Sequence, residues 1–300
     1  MTVEDRELEL TNLEKVLYPA AGFTKGQVVD YYREIAPVLL PHLRGRPLTL
    51  RRFPDGVEQE GFFEKALPAR RPDWVQVAPI WSETSHRTVE YCLCNDAPTL
   101  LWLANLAALE LHPSLSLAAD MDHPACVVFD LDPGPPAGMV ECCRVALWLR
   151  EALEPLGLRS FPKTSGSKGI QVYVPLNTGA TYEETKAFAR GMAGLIAWTH
   201  GEDVVANMRR SLREGRVLVD WSQNTQHKTT VAAYSLRGRE RPSVSTPITW
   251  DEVEAGVRGD SRLYFEAEDV LRRAGEQGDL FAPVLTMKQD LAGAGPAPGR

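Results

Sequence analysis

The spacing of apolar residues predicts several helices along the chain. Thr24 followed by Gln27 forms a capping-box pattern, and apolar residues then recur at helical spacing, which predicts a helix over 26–40. Thr181 with Glu184 repeats the capping pattern ahead of a second helix. The complete set of predicted helices covers 26–40, 98–111, 139–156, 182–198, 251–257 and 266–274.

Segments rich in β-branched and aromatic residues predict the strands. A breaker run over 132–136 ends one of them, and a loop over 163–169 separates two others. The predicted strands cover 47–53, 61–65, 74–79, 88–93, 126–132, 159–162, 170–176, 217–221 and 229–234. No internal repeat and no regular βαβ series is present, so the pattern predicts an α+β fold with mixed sheets.

The charge of the chain argues against a protein that is held to nucleic acid by its overall field. There are 33 basic and 40 acidic residues among 300, which gives a net charge of −7. The basic residues are nevertheless clustered, which predicts a local basic groove on an acidic body. The clusters contain Arg44, Arg46, Arg51 and Arg52, then Lys65, Arg70 and Arg71, then Arg209, Arg210, Arg213 and Arg216.

Cysteine usage and hydropathy exclude several classes of protein. The five cysteines are odd in number, and two pairs, Cys92/Cys94 and Cys142/Cys143, are too close for an ordinary disulfide framework, which favours a reducing, cytoplasmic compartment. They form no C-x-x-C pair and no nearby Cys/His set, which argues against structural zinc. No stretch approaches the roughly 20 apolar residues of a membrane span. The first ten residues are acidic and do not resemble a signal peptide.

Two carboxylates stand at the end of one predicted strand. Because strand side chains alternate, Asp130 and Asp132 point to one face while Phe129 and Leu131 point to the other. Such a pair suits two hard cations that clamp the oxygens of a phosphoryl transfer. The alternative is that both side chains only cap the turn that follows.

A third carboxylate, Asp220, interrupts the apolar strand 217–221. A carboxylate in a buried strand is costly unless it is paired with a cation or binds a metal. The competing hypothesis is an ion pair with a neighbouring arginine. The sequence separation from the first pair leaves open whether the three carboxylates meet.

The loop 163–169 has the composition of a phosphate-binding turn. Its glycines allow close approach of backbone N–H groups, Ser165 and Ser167 supply hydroxyl donors, and Lys168 supplies a positive charge. The spacing is not that of a P-loop, and a Gly/Ser turn without a ligand is the alternative. Arg237 follows a predicted strand and could reach a phosphate, although a surface arginine is the simpler interpretation.

Aromatic and basic residues of the N-terminal part are weaker candidates. Phe62 and Phe63 are expected on opposite sides of a strand, one in the core and the other able to stack on a base. Lys15 and Lys25 could contact phosphate, with solvated side chains as the default. His112 is expected at the end of an apolar helix, as a structural histidine rather than a ligand.

Taken together, these residues resemble the polymerase domain of bacterial ligase D, a member of the archaeo-eukaryotic primase superfamily. The resemblance spans most of the chain and rests on motifs that occur in the family's order. They are the segments 12–19, 62–65, 101–105, 110–113, 129–133, 164–169, 219–224 and 243–247.

The resemblance implies a primase-polymerase fold of two mixed or antiparallel sheets flanked by helices, with the active-site cleft between the sheets. It implies one catalytic domain over 1–290, with a DNA-end-binding part over about 1–120 and a catalytic core over about 121–250. C-terminal helices would cover 249–290, and a flexible tail or linker 291–300.

The implied activity is template-dependent nucleotide addition in non-homologous end joining, with a preference for ribonucleotides and a two-metal site for Mn²⁺ or Mg²⁺. By match, the catalytic metal ligands are Asp130, Asp132 and Asp220. The nucleotide-binding residues are His112, Ser165, Ser167, Lys168, Gly169, Gln171 and Arg237. The DNA-binding residues are Asn12, Lys15, Lys25, Arg52, Phe62 and Phe63. The implied partners are NTPs or dNTPs, DNA ends and gaps with a 5′-phosphate, Ku, and a DNA ligase that is fused or separate. The implied location is the cytoplasm, at the nucleoid.

One position departs from the family pattern. Gln171 stands where the family usually carries histidine, and an amide can donate a hydrogen bond but cannot become a cation or carry a proton. This departure motivates one alternative function, a DNA-end-binding module with weakened catalysis. Two others also stay open: a stand-alone primase-polymerase for short gaps in excision repair, and a metal-dependent nuclease. The intact carboxylates argue against the module, and the triphosphate loop argues against the nuclease.

Overall fold

A computed structural model describes residues 1–68, 70–82 and 86–291. The chain divides into two compact units. Unit 1 comprises 1–119, 229–245 and 265–279, and unit 2 comprises 120–228, 246–264 and the segment from Leu280 onward. From residue 292 onward, the predicted tail over 291–300 lies outside the described residues.

Unit 1 is built on a five-stranded antiparallel sheet. Four of its strands follow the order β6-β5-β8-β7, and β9 also pairs with β5. Two small antiparallel pairs, β1 with β2 and β3 with β4, lie outside this sheet. The strands are β1 Thr2–Val3, β2 Arg6–Glu7, β3 Val16–Tyr18, β4 Phe23–Thr24, β5 Pro47–Arg52, β6 Phe62–Glu64, β7 Val77–Ser82, β8 Arg87–Leu93 and β9 Ala108–Pro113.

Three helices belong to unit 1: α1 Lys25–Leu43, α2 Ala97–Asn105 and α6 Ala267–Gln277. The predicted capping box of α1 is present, since the Thr24 hydroxyl accepts from the Gln27 N–H and the Gln27 side chain accepts from the Thr24 N–H. Helix α1 contacts both α2 and α6. Its buried tyrosines also donate to backbone carbonyls elsewhere in the unit, which fixes the helix to the core.

Unit 2 is built on a second five-stranded sheet with the order β11-β12-β10-β14-β13. All its pairs are antiparallel except β13 with β14. Helices α3 and α4 contact the central strand, and α5 packs on α3. The elements are β10 Cys126–Pro133, α3 Met139–Leu153, β11 Phe161–Thr164, β12 Ile170–Pro175, α4 Tyr182–Thr199, β13 Val204–Val205, β14 Val217–Asp220, α5 Trp250–Arg258 and α7 Ala282–Thr286. Three short 3-10 turns cover Pro19–Ala21, Glu154–Leu156 and Arg210–Leu212.

The α+β class is confirmed, while two predicted elements are wrong. The segment expected as one helix over 98–111 ends as a helix at Asn105, takes a left-handed residue at Ala107 (φ 56°), and continues as strand β9. An apolar run cannot by itself distinguish a buried helix from a buried strand. The strand expected over 229–234 forms only an isolated bridge between Ser114 and Thr229.

Smaller differences concern element ends. Strand β7 begins three residues later than expected, and β11 covers Phe161–Thr164, so Lys163 and Thr164 belong to a strand and not to the following loop. Helix α7 was not expected from the sequence. None of the helices in the described part of the chain is both long and apolar enough to span a membrane.

Candidate active site

Four polar residues form a row across the sheet of unit 2. Asp130 on β10 pairs directly with Asp220 on β14 and with Gln171 on β12, and Gln171 pairs with Lys163 on β11. Residues that face each other across antiparallel strands point to the same side of the sheet, with Cβ atoms about 5 Å apart. The side chains of the row therefore share one face.

The alternation predicted for strand β10 is confirmed. Phe129 and Leu131 are fully buried, Asp130 is partly exposed, and Asp132 is exposed. Asp132 therefore lies on the face of the row, one step further along the strand. Its Oδ2 lies 3.4 Å from Nη1 of Arg213, which also donates to the carbonyl of Met208.

The Asp130 carboxylate is electrostatically strained. Burial and the charge of Asp220 raise its pKa to about 6. The hydrogen bond from Gln171 Nε2 (3.2 Å) and the charge of Lys163 lower the pKa but do not outweigh burial. Lys163 is itself fully buried. The site thus holds excess negative charge, which a cation would neutralise.

Asp220 is oriented by the turn that follows it. Its Oδ1 accepts from the backbone N–H of Ser222 at 2.7 Å, and its Oδ2 accepts from Gln223 Nε2 at 3.1 Å. In the described part of the chain Asp220 forms no ion pair with an arginine, so the alternative of a structural salt bridge is wrong. The turn therefore fixes the orientation of the carboxylate on the strand position that faces Asp130.

The donor atoms of this site are of the type that a hard divalent cation prefers. Asp130, Asp132 and Asp220 supply carboxylate oxygens, and such oxygens are what Mg²⁺ and Mn²⁺ prefer. Gln171 Oε1 is buried and has no hydrogen-bond partner among the described residues. As the side chains stand, no three His, Cys, Asp or Glu groups within the described residues form a closed metal site.

The predicted phosphate loop lies beside the carboxylates. Ser165 Oγ accepts from the N–H groups of Ser167 (3.2 Å) and Gly169 (3.1 Å), so this hydroxyl organises the loop. A Cβ at Gly169 would lie 1.9 Å from the carbonyl oxygen of Leu131, so only glycine lets the loop pack on β10. Lys168 is exposed and Ser167 half-buried, and both line a cavity of about 790 Å³.

The structure reveals a buried carboxylate in unit 1 that the sequence analysis did not single out. Glu110 on β9 accepts from Arg51 Nη1 (3.3 Å) and from the Gly238 N–H (2.9 Å). Its other contacts are His112 Nε2 at 2.9 Å and Arg237 Nε at 3.4 Å. The alternation of Glu110 and His112 within an apolar run is the period-two signal of a strand that could have identified it.

The contacts within this cluster shift the pKa values of Glu110 and His112. Burial raises the pKa of Glu110, but the hydrogen bond from His112 and the charges of Arg237 and His112 outweigh burial and hold the pKa well below its usual range. Burial lowers the pKa of His112, and the hydrogen bond to Glu110 only partly opposes this. At neutral pH the carboxylate is therefore ionised and the imidazole is neutral. His112 lies in a strand, which corrects its expected place at a helix end.

Phe62 and Phe63 lie on opposite faces of β6, as predicted, but neither is a core residue. Their exposed fractions are 46% and 61%. Phe63 approaches the ring of His112 edge-on at 5.6 Å and lies 5.4 Å from the Arg51 guanidinium. The expectation of one core residue is wrong because, among the described residues, β6 pairs with β5 alone and forms an edge of the sheet.

Three of the remaining DNA-binding candidates, Arg52, Lys15 and Asn12, make contacts within unit 1. Arg52 donates to Glu64 (3.0 Å) and lies over Phe62, on the other face of the sheet from Phe63. Lys15 pairs with exposed Asp55. Asn12 adopts a left-handed backbone (φ 52°), and its carbonyl accepts from the Lys15 N–H in the loop before α1.

Lys25 differs from the solvated side chain expected by default. It is buried and donates from Nζ to the carbonyl of Thr11 at 2.6 Å. Burial lowers its pKa, as do the charges of Lys15 and Arg52. The positive charges of Lys15 and Arg52 thus both act on Lys25, and a bound anion would relieve this repulsion.

Comparison with known proteins places the chain in a family. A family model described as "LigD, primase-polymerase domain" matches residues 24–281. The multifunctional non-homologous end joining protein LigD of Mycolicibacterium smegmatis is 43% identical over 280 residues, which is 92% of this chain and 36% of that protein. The bifunctional LigD of Bacillus subtilis is 34% identical over 285 residues, 95% of this chain and 45% of that protein.

A solved structure matches as well. The polymerase domain of Mycobacterium tuberculosis ligase D in complex with DNA has a TM-score of 0.87 and 37% identity, and covers 94% of this chain and 99% of that domain. The chain spans less than half the length of the full-length relatives it matches. It belongs to the primase-polymerase domain family of ligase D, whose members are nucleotidyltransferases.

Proposed function

We propose that this chain is the gap-filling and end-extending polymerase of a bacterial non-homologous end joining system. The observation that carries the proposal is the pairing of Asp130 with Asp220 on one sheet face, next to Asp132 and to the loop that ends at Gly169. Catalytic carboxylates and a phosphate-binding turn on one surface are the two parts that nucleotidyl transfer requires.

In the proposed reaction the primer 3′-hydroxyl attacks the α-phosphorus of an incoming nucleotide. A new P–O bond forms, the bond to the β-phosphate breaks, the hydroxyl proton is released and pyrophosphate leaves. Asp130, Asp132 and Asp220 would hold Mn²⁺ or Mg²⁺, which when bound supplies activation of the hydroxyl and neutralisation of the phosphates. The N–H groups of the loop that Ser165 organises would bind phosphate oxygens, and Lys168 would add a positive charge.

In unit 1 the proposed nucleotide ligands are His112 for the sugar and Arg237 for phosphate. Phe63 would contact the template base, because it is an exposed aromatic ring on the face that carries His112. Phe62 and Arg52, on the other face, would contact DNA outside that position. Gly169 and Gln171 support the loop and Asp130 respectively.

The partners follow from charge and from the family. Lys15 and Lys25, with Asn12, would bind the 5′-phosphate of the downstream strand, because the Lys25 N–H donates to the Lys15 carbonyl and the charge of Lys15 acts on Lys25. DNA binding is supported by the solved relative, whose structure was determined in complex with DNA. The protein names of the relatives support an end-joining setting, in which Ku and a DNA ligase would be the protein partners, and a cytoplasmic location at the nucleoid.

The test is nucleotide addition on a gapped duplex with a downstream 5′-phosphate, with Mn²⁺ compared with Mg²⁺ and ribonucleotides with deoxyribonucleotides. Addition that Asp130→Ala abolishes supports the proposal. The matched control is Asp203→Asn, which removes a partly exposed carboxylate of the same unit that lies 4.0 Å from Arg144. Addition by Asp130→Ala at the wild-type rate would refute the assignment of the carboxylates.

A DNA-end-binding role with weak catalysis is the second candidate, because Gln171 replaces the family's usual histidine and leaves a buried Oε1 unpaired among the described residues. It predicts binding that depends on the 5′-phosphate and no nucleotide addition by the wild type. Addition that is specific to short gaps and independent of broken ends would instead favour excision repair. Addition by the wild type separates both polymerase roles from the binding module, and a second substrate with a broken end, compared with the gapped duplex, separates end joining from excision repair.

A further inference from the structure

We propose that Glu110 is a positioning residue: it fixes the proton of His112 on Nε2, so that Nδ1 can accept a hydrogen bond from the 2′-hydroxyl of a ribonucleotide. Glu110 would thereby set the preference between ribose and deoxyribose. The inference rests on the proposed function, since nucleotide addition is the reaction that brings a sugar to His112.

The proton position follows from the chemistry of the two partners. An ionised carboxylate only accepts hydrogen bonds, and Glu110 Oε2 lies 2.9 Å from His112 Nε2. Nε2 must therefore carry the hydrogen, and a neutral imidazole then has a lone pair on Nδ1. No hydrogen bond reaches Nδ1 from any described residue. Fixing a tautomer by a carboxylate partner is the arrangement used in carboxylate–histidine pairs at other sites.

Polar atoms that could bind a ligand lie on the strand next to Glu110 and His112. Thr49 faces His112 across β5 and β9, and Arg51 faces Glu110. Thr49 Oγ1 and Arg51 Nε are buried, and neither has a hydrogen-bond partner among the described residues. An unpaired buried polar atom is costly, so these atoms indicate a surface whose hydrogen bonds a ligand completes.

Glu110 is itself held firmly. The Gly238 N–H donates to its Oε1, and one residue along β9 the Leu111 N–H donates to Ser235 Oγ at 2.9 Å. Glu110 therefore also orients Arg237, which lies between these two residues of the segment 235–238. Because Arg237 would bind phosphates, its displacement would weaken ribonucleotides and deoxyribonucleotides equally. The ratio of their affinities therefore reports on His112 alone.

The experiment measures equilibrium binding of an NTP and of the matching dNTP to the full chain, by calorimetry, without DNA. The variants are Glu110→Gln, His112→Ala and the double variant. A glutamine can either donate to or accept from the imidazole, so it no longer dictates the tautomer. Asp96→Asn is the matched control, because it removes another carboxylate–arginine pair of unit 1, with Arg6, outside the proposed site.

The wild type is expected to favour the NTP on the order of tenfold, the size of one net hydrogen bond. Glu110→Gln and His112→Ala should each bring the ratio close to one, and the double variant should change it no further. ¹⁵N spectra of the histidine rings should show the Nε2–H form for His112 in the wild type and a mixture in Glu110→Gln. Asp96→Asn should keep both the ratio and the spectrum.

Equal losses for both nucleotides, or a wild type with no sugar preference, would overturn the inference. So would an Nδ1–H tautomer in the wild type. These readouts need no turnover. A chain that discriminates the two sugars but adds no nucleotide to a gapped duplex would contradict the proposed function and leave the role of Glu110 standing.

Discussion

Asp130 and Asp220 face each other directly across antiparallel strands β10 and β14, although 90 positions separate them in the chain. Two like charges at this spacing repel each other, and the pKa of Asp130, raised to about 6 by burial and by Asp220, records the cost. The polar row across unit 2 therefore lowers the stability of the metal-free fold, and the proposed cation would offset this cost by neutralising the carboxylates.

This cost predicts a pH-dependent stability. An unfolded aspartate titrates near 3.9, so between about pH 4 and 6 the folded protein binds more protons than the unfolded chain. The free energy of unfolding of the metal-free protein should therefore fall as the pH rises through this window. Asp130→Asn removes the effect and should be more stable than the wild type above pH 6, by about 1–2 kcal/mol.

Urea unfolding of both proteins between pH 4.5 and 8 measures the difference. Asp220→Asn provides a second check, because loss of the opposing charge should move the window to lower pH. A gap between wild type and Asp130→Asn that is the same at both ends of the range would contradict the assignment.

Replacing Gln171 by the family's usual histidine should increase turnover on a gapped duplex, on the order of tenfold. An imidazole can still donate to Asp130, and it can also carry a proton or a charge next to phosphate, which an amide cannot. Gln171→Leu loses the donor that lowers the pKa of Asp130, and should reduce turnover. Steady-state rates in Mn²⁺ compare the three proteins, and a histidine variant slower than wild type would count against a role for this position in the reaction.

Gly169→Ala should destabilise the protein by about 2 kcal/mol or more, because the new Cβ would collide with the carbonyl oxygen of Leu131. Gly179→Ala is the control, since a Cβ there has nothing within 4 Å, and it should change stability by less than about 0.5 kcal/mol. Thermal unfolding distinguishes the two. Equal melting temperatures for the two alanine variants would show that the loop does not pack on β10 as described.

Phe63→Ala should weaken binding to gapped DNA by about 1–3 kcal/mol, the value of one base stacked on an aromatic ring. Phe62→Ala should have a smaller effect, because Phe62 lies on the opposite face, over Arg52. Fluorescence anisotropy with a labelled gapped duplex gives both affinities. The face assignment fails if Phe62→Ala is the more damaging change.

The sequence was most informative where local chemistry decides the structure. The capping pairs at Thr24 and Thr181 marked the starts of α1 and α4, and the alternation over 129–132 placed both aspartates on one face. What failed depends on distant partners. Segment 98–111 is largely apolar, and pairing with β5 makes its last residues, from Ala108 onward, a strand.

The same limit explains the site residues that were missed. Glu110 looked like part of a helix, and its four contacts come from β5, its own strand and residues 237–238. Lys163 looked like the first residue of a loop, whereas it is a buried member of the polar row. Register across strands that are far apart in sequence is not encoded in any local window.

The polar row also depends on the register of every strand pairing that contributes to it. Lys163, Gln171, Asp130 and Asp220 come from four strands, and a slip of one residue in any pairing would turn a member to the opposite face. A cation bound by Asp130 and Asp220 would therefore favour the observed register of β10 and β14 over a slipped one. Amide hydrogen exchange in β10 and β14 should slow together when Mn²⁺ is added, because an ion held by Asp130 and Asp220 would oppose every opening that separates these two strands.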